Sequence, residues 1–368
     1  MRPLPTLLCA CALLAPAAFL VAQEQGPLKD PGQTVARPKK SADPNTPPPA
    51  EELPKIPSQY KREKDLGGLP SFKSDVELVT LDVAVVDKNG QFIPGVPAGN
   101  FRVLEDNVPQ QIRKVDMSAA PMTIAIVVEF SNHYQQLYTN AWFQTLELVW
   151  GFTSTLQKDD YCAVIAFDMK PEILTDFTTD RMQIKEALSR LTIPAWREAN
   201  MFDAVVDTAD RMSAIEGRKA ILLITTGIDT FSRLTYDQTR KRLQEAGVPV
   251  YSISLMGMER AMYGDNITFL QADNELNTFA RETGGRAFFP RFQGEYPAVF
   301  GSIHQALANQ YVLTYSPSNR ARDGGFRKIK VELVDPNGKP LPMKDEKGKP
   351  VKYTIIAKSG YKAPREVE

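Results

Sequence analysis

Glu129-Phe-Ser-Asn-His133 places a carboxylate, a hydroxyl and an imidazole within five residues. Such groups could serve hydrolysis, which needs a nucleophile, a base and an orienting partner. Ser131 and His133, however, stand only two positions apart on one loop, and no Gly-x-Ser-x-Gly elbow occurs to expose a nucleophile. The other titratable groups point no further toward catalysis. Two histidines and three cysteines, with no Cys-x-x-Cys pair, cannot build most zinc sites. Cys162 lies inside the apolar run Tyr161–Phe167, where a thiol is buried and inert. Gly284-Gly285 follows a helical stretch and reads as a helix terminator, not as a phosphate-cradling loop. The sequence therefore predicts a protein that is not an enzyme and that has no catalytic residues.

Elements that must carry that loop follow from composition and periodicity. The 368 residues are 43% hydrophobic and 24% charged, enough for a sizeable core. Lys+Arg and Asp+Glu both number 44, so no net charge draws the chain to nucleic acid. Thr123–Phe130 is a continuous apolar run, as expected for a strand covered on both faces. Further strands are predicted at Tyr161–Asp168, Lys219–Thr226, Val248–Leu255 and Arg286–Phe289. Helices are predicted at Tyr138–Leu156, Arg181–Leu191, Met201–Ile215, Tyr236–Ala246, Ile267–Thr283 and Tyr296–Asn309. The stripe of Trp142, Leu146, Val149 and Trp150 is read as sheet-facing core. Alternating strand and helix predicts an α/β fold with a doubly wound, mostly parallel sheet.

The flanks differ in character. Met1–Ala22 carries one arginine and then an apolar stretch interrupted by Pro16, which reads as a secretory signal cut after Ala22. An uncleaved anchor is the alternative. Removal would leave Cys162 as the sole cysteine, and the protein would be exported to periplasm, cell surface or medium. Residues 23–70 hold ten of the 28 prolines and are expected to form a disordered tether. Residues 71–118 read as a small β unit, with Asp87-Lys-Asn-Gly90 as a hairpin turn. Residues 119–310 form the α/β domain, and 311–364 return to β strands expected to pack with the small β unit, since neither group makes a core alone.

In an open parallel sheet, ligands bind where strand order reverses, at the carboxyl ends. Loops Glu129–Tyr138, Pro194–Asp203 and Thr225–Thr235 should meet there. Here the sequence resembles the von Willebrand factor type A (VWA) domain, in particular the secreted VWA-related proteins common in Acidobacteria. The resemblance covers roughly residues 72–364. It rests on Leu78-Val-Thr-Leu-Asp-Val-Ala-Val-Val86, Asn100-Phe-Arg-Val-Leu-Glu-Asp106, Met201-Phe-Asp-Ala204, Tyr311-Val-Leu-Thr-Tyr315 and Phe326-Arg-Lys-Ile-Lys-Val331.

The resemblance implies a Rossmann-like fold whose adhesion site holds a divalent ion through Asp-x-Ser-x-Ser, a distant Thr and a distant Asp. Position by position, that pattern is largely absent. Glu129 stands in place of Asp, Ser131 matches, and His133 replaces the second Ser. The Thr falls on Ala199, four residues before Asp203, and the distant Asp falls on Thr226. Mg²⁺ and Ca²⁺ require several converging oxygens, and imidazole suits them poorly. No cofactor is therefore predicted. Any metal would need a rearranged site of Glu129, Ser131, His133 and Asp229; Asp229 is otherwise read as a cap of its turn or of the following helix. The same loops can bind a protein without an ion; the alternatives are a divalent-metal-dependent adhesion receptor of the same fold and an envelope-located enzyme. The predicted contact surface comprises Phe130, Ser131, Asn132, His133, Tyr134, Trp196, Arg197, Asp229 and Phe231, a mixture rich in the aromatic and arginine residues that anchor interfaces.

Overall fold

The described chain opens with β1 (Val79–Asp87), β2 (Phe101–Glu105), β3 (Val108–Gln110) and β4 (Ile112–Met117). Next come β5 (Met122–Glu129), α1 (Ala141–Thr153), β6 (Tyr161–Phe167), β7 (Pro171–Thr178), α2 (Arg181–Ser189) and α3 (Met201–Ser213). They lead to β8 (Arg218–Thr225), α4 (Tyr236–Ala246), β9 (Val250–Ser254), α5 (Gly257–Tyr263) and α6 (Ile267–Thr283). After β10 (Ala287–Phe288) and α7 (Tyr296–Ala308) the chain returns to strands β11 (Tyr311–Tyr315) and β12 (Phe326–Leu333). It ends in β13 (Met343–Lys344), β14 (Pro350–Val351), β15 (Tyr353–Ile356) and β16 (Gly360–Lys362). This computed structural model describes residues 78–117, 121–131, 141–191, 198–344 and 348–365. All belong to one unit, Lys73–Glu368. The expected signal and tether lie outside the described residues.

Six strands form the central sheet in the order β10-β9-β8-β5-β6-β7. All neighbours run parallel except β6 and β7. The fold is thus doubly wound and mostly parallel. Alternation along β5 shows why both faces must be covered. Ile124, Ile126 and Val128 enter one core with α1, α2 and α7, whereas Ala125 and Val127 enter a second with α3, α4 and α6. Cys162 is wholly buried in the first core, and burial pushes its thiol up to about 12, which keeps it protonated and inert.

Strands from both flanks make the β unit: one sheet has the order β15-β1-β11-β4, another β16-β12-β2-β3. Their facing sides share a core of Leu81, Val83, Val103, Leu313 and Tyr315. β1 joins this unit to the α/β domain, because Ala84 and Val86 on its other face enter the first core of the central sheet. The Asp87–Gly90 turn forms, with Gly90 N donating to Asp87 O at 3.0 Å. The chain beyond it returns only to a single bridge, Val86 to Phe92, so the true partners of β1 are β11 and β15.

Three expectations need correction. β7 was absent from the predicted elements, since an antiparallel edge strand of mixed polarity shows no continuous apolar run. The seven-residue α5 is likewise too short for a periodic signal. In α1 the predicted Leu146 and Val149 do pack on the first core, with Leu148 and Phe152, but Trp150 is 37% exposed with the Lys185 ammonium 5.6 Å from its ring. The side chain of Trp142 lies outside the described residues.

Local caps delimit α4 and hold the loop before it. Gln238 N donates to Thr235 Oγ1 at 3.3 Å, and Thr235 N donates to Gln238 Oε1 at 2.9 Å, a reciprocal capping box. Thr235→Ala is expected to lower stability by about 1 kcal/mol. A shift of the urea midpoint at unchanged slope measures this; an unmoved midpoint would mean the cap is dispensable.

Candidate functional site

β5 and β8 are adjacent, yet the chain leaves them toward opposite sides of the sheet, so their carboxyl ends mark its switch point. Glu129 closes β5 there and is buried. Its Oε1 accepts from Ser131 Oγ at 2.7 Å. Its Oε2 accepts from Thr225 Oγ1 at 2.7 Å, Thr226 N at 2.7 Å and Thr226 Oγ1 at 2.8 Å. Ser131, Thr225 and Thr226 are themselves buried. The turn that presents Thr226 depends on Gly227, whose φ of +81 suits glycine. A Cβ there would also lie 3.0 Å from Leu276 and 3.1 Å from Ala272 on α6.

A second network ties α3 to the loop after β8. Asp229 Oδ1 accepts from Phe202 N at 3.1 Å and from Ser232 Oγ at 2.6 Å. Asp203 accepts from Arg233 N and Leu234 N, each at 3.1 Å, while Asp203 N donates to Ser232 Oγ at 3.1 Å. Ala199 N donates to Thr230 Oγ1 at 2.8 Å. Burial raises the Asp229 carboxyl above its ordinary range, against the bonds from Ser232 and Phe202 that pull it down. Asp229 thus holds its own turn and the start of α3, the helix before it in sequence and not the one after.

One acid at this end escaped the sequence reading. Glu259 on α5 is 3% exposed, and its Oε2 has no hydrogen-bond partner among the described residues. Burial, and secondarily the charge of Glu129, push its carboxyl up to about 7. Nothing in the local sequence marks it; its environment comes from α5 folding over the ends of the strands.

The predicted surface is only partly assembled. Phe130 is a correction: it is buried in the first core and its N donates to Phe167 O at 2.8 Å, so it cannot meet a partner. Its signal was legible, because Phe130 continues the alternation of Ile124, Ile126 and Val128. Ser131 is also buried, as a partner of Glu129. Phe231 is 50% exposed. Asn132, His133, Tyr134, Trp196 and Arg197 lie outside the described residues. The structure adds Ile267 and Leu270, 78% and 52% exposed, at the start of α6. Both sit off the buried stripe of Phe269, Ala272, Leu276 and Phe279, a departure visible from helical periodicity alone.

No family model and no curated protein matches the sequence. Solved structures do align. Proximal thread matrix protein 1 from the mussel byssus is 12% identical over 51% of this chain and 48% of its own, with a TM-score of 0.41. The present chain thus spans about half the length of that protein. BatB from Bacteroides thetaiotaomicron is 15% identical over 51% of this chain and 98% of its own, with a TM-score of 0.39. A von Willebrand factor type A protein from Catenulispora acidiphila is 12% identical, covering 79% and 76%, with a TM-score of 0.40.

Proposed function

We propose that this chain is an exported, non-enzymatic VWA-type interaction module that recognises a protein partner at the strand-end crown without a bound ion. The observation carrying this reading is the hydrogen bonding of Glu129. A divalent cation needs converging oxygens with free lone pairs and an open position for the partner. Here both carboxylate oxygens accept from the protein's own hydroxyls and backbone. Glu129 in place of Asp, with Ala199 and Thr226 where the pattern has Thr and Asp, supports the same reading. Among the described residues no group of three His, Cys, Asp or Glu is placed to hold one.

Phe231, Ile267 and Leu270 supply the apolar contact at the same end of the sheet, since α6 starts beyond the carboxyl end of β9 and runs back to β10. Exposed apolar side chains gathered on an ordered scaffold are suited to protein binding. Among the described residues no helix is long and apolar enough to cross a membrane, in keeping with a tethered or released module.

The test pairs a metal screen with surface variants. Mg²⁺, Mn²⁺ and Ca²⁺ are expected to leave the melting temperature unchanged; a rise of several degrees, abolished by Ser131→Ala, would restore the ion-dependent adhesion receptor. Phe231→Ser combined with Ile267→Ser is expected to lose capture of envelope partners while melting as the parent does. Capture at parental yield would remove this surface from the function.

A further inference from the structure

A cavity of about 700 Å3 opens in the β unit, between the chain linking β1 to β2 and the β13–β14 hairpin. That volume falls within the roughly 300–1,000 Å3 typical of small-molecule sites. Phe92, Ile93 and Val96 line one wall, and Leu341, Met343 and Val351 the other. Tyr311 of β11 fixes the first wall: its hydroxyl donates to Ile93 O at 2.9 Å and accepts from Val96 N at 3.0 Å. Its ring also lies 5.3 Å from that of Phe92. Ile93 N donates to Val85 O at 2.8 Å, while Pro94 and Pro97 have no amide hydrogen. These backbone groups are thus spent within the protein, and apolar side chains are what the wall offers a ligand.

The second wall is assembled differently. Leu341 N donates to Leu333 O at 3.0 Å, which ties the chain to β12 just before the hairpin. Met343 and Val351 stand directly opposite each other in the ladder, so their side chains share one face. Leu341 and Met343 pack against the sandwich core. Methionine's flexible thioether adapts to differently shaped apolar neighbours, which suits a wall that closes on a chain.

Two charged residues border the cavity, Asp87 and Lys344, and they are not equally available. Asp87 Oδ1 accepts from Asn89 N and Gln91 N, each at 2.8 Å, and Oδ2 from Asn89 Nδ2 at 3.3 Å. That carboxylate closes its own turn. Lys344 is exposed and forms no ion pair among the described residues. Successive strand residues leave opposite faces, so Lys344 meets the cavity at its rim while Met343 faces inward. Its four-carbon stem lets the ammonium reach the exposed end of a ligand whose body is buried.

We propose that this cavity binds the hydrocarbon chain of an acidic amphiphile, a fatty-acid-like molecule whose carboxylate meets Lys344 at the rim. This inference does not depend on the crown. Calorimetric titration of the full chain with decanoate tests it, beside hexanoate and decyltrimethylammonium, all below their micelle concentrations. Decanoate is expected to bind saturably at one site per chain. Hexanoate, four methylenes shorter, should bind about a hundredfold more weakly, because each buried methylene contributes separately. Decyltrimethylammonium, with the same chain and the opposite charge, should bind about fivefold more weakly or less, and Lys344→Glu should abolish that preference. Met343→Asp should weaken decanoate about tenfold or more; Val351→Asp, at a position outside the sandwich core, repeats the test should the first variant melt early. No saturable decanoate binding, parental affinity in a folded Asp variant, or a charge preference absent from the parent or unchanged in Lys344→Glu overturns the proposal.

Discussion

Glu129→Ala is expected to destabilise the protein by about 3–5 kcal/mol, the largest effect of any single substitution proposed for the crown. Removing this acceptor strands three buried hydroxyl donors and the Thr226 amide at the junction of β5 and β8. The hydroxyls keep lesser roles: Gly227 N donates to Thr225 Oγ1 at 3.0 Å and Ile228 N to Thr226 Oγ1 at 3.2 Å. Those bonds use oxygen lone pairs, and among the described residues the only other acceptor for these hydroxyl protons is the weak one of Met201 Sδ, 3.5 Å from Thr225 Oγ1. A fall of roughly 10 °C in melting temperature should result. A variant as stable as the parent would show that the carboxylate is not what closes the crown, and would reopen the place for an external ligand. The same geometry explains why glutamate belongs here. The extra methylene carries its carboxylate to threonines nearly a hundred residues along the chain, where a metal-bound site would stop at an ion.

Glu259→Gln should act in the opposite direction, and only at higher pH. The folded state raises this carboxyl from 4.5 to about 7, so folding favours the protonated form. Its contribution is complete below pH 4.5, declines as pH rises toward 7, and is lost above it. Glutamine copies the neutral form and cannot ionise. At pH 8 the variant is expected to be more stable by up to about 3 kcal/mol, and at pH 4.5 to match the parent. Urea titrations at the two pH values measure the difference. A constant difference, or none at either pH, would mean that Glu259 ionises freely and that α5 opens to water.

The two acids also show where sequence reasoning stopped. That Glu129 stands in place of the aspartate of the metal-site pattern was legible from residue type and position alone. That its oxygens turn back onto Ser131, Thr225 and Thr226 was not, because it depends on β5 and β8 lying side by side. Glu259 carried no signal whatever: its helix is seven residues long, and its buried state depends on what α5 packs against.

Elements with their own caps were read to the residue. Tyr236–Ala246 sits between the Thr235 capping box and Gly247, and Ile267–Thr283 between Asn266 and Gly284; both match the predicted limits. Helix caps are local chemistry, and the apolar runs of buried parallel strands are equally local, so the sequence by itself determined the α/β alternation and the central sheet. Tertiary structure alone decided that β1 pairs with strands more than 200 residues away and that the Glu259 side chain is buried. Such outcomes follow from which surfaces meet in space, and no window of neighbouring residues contains that information.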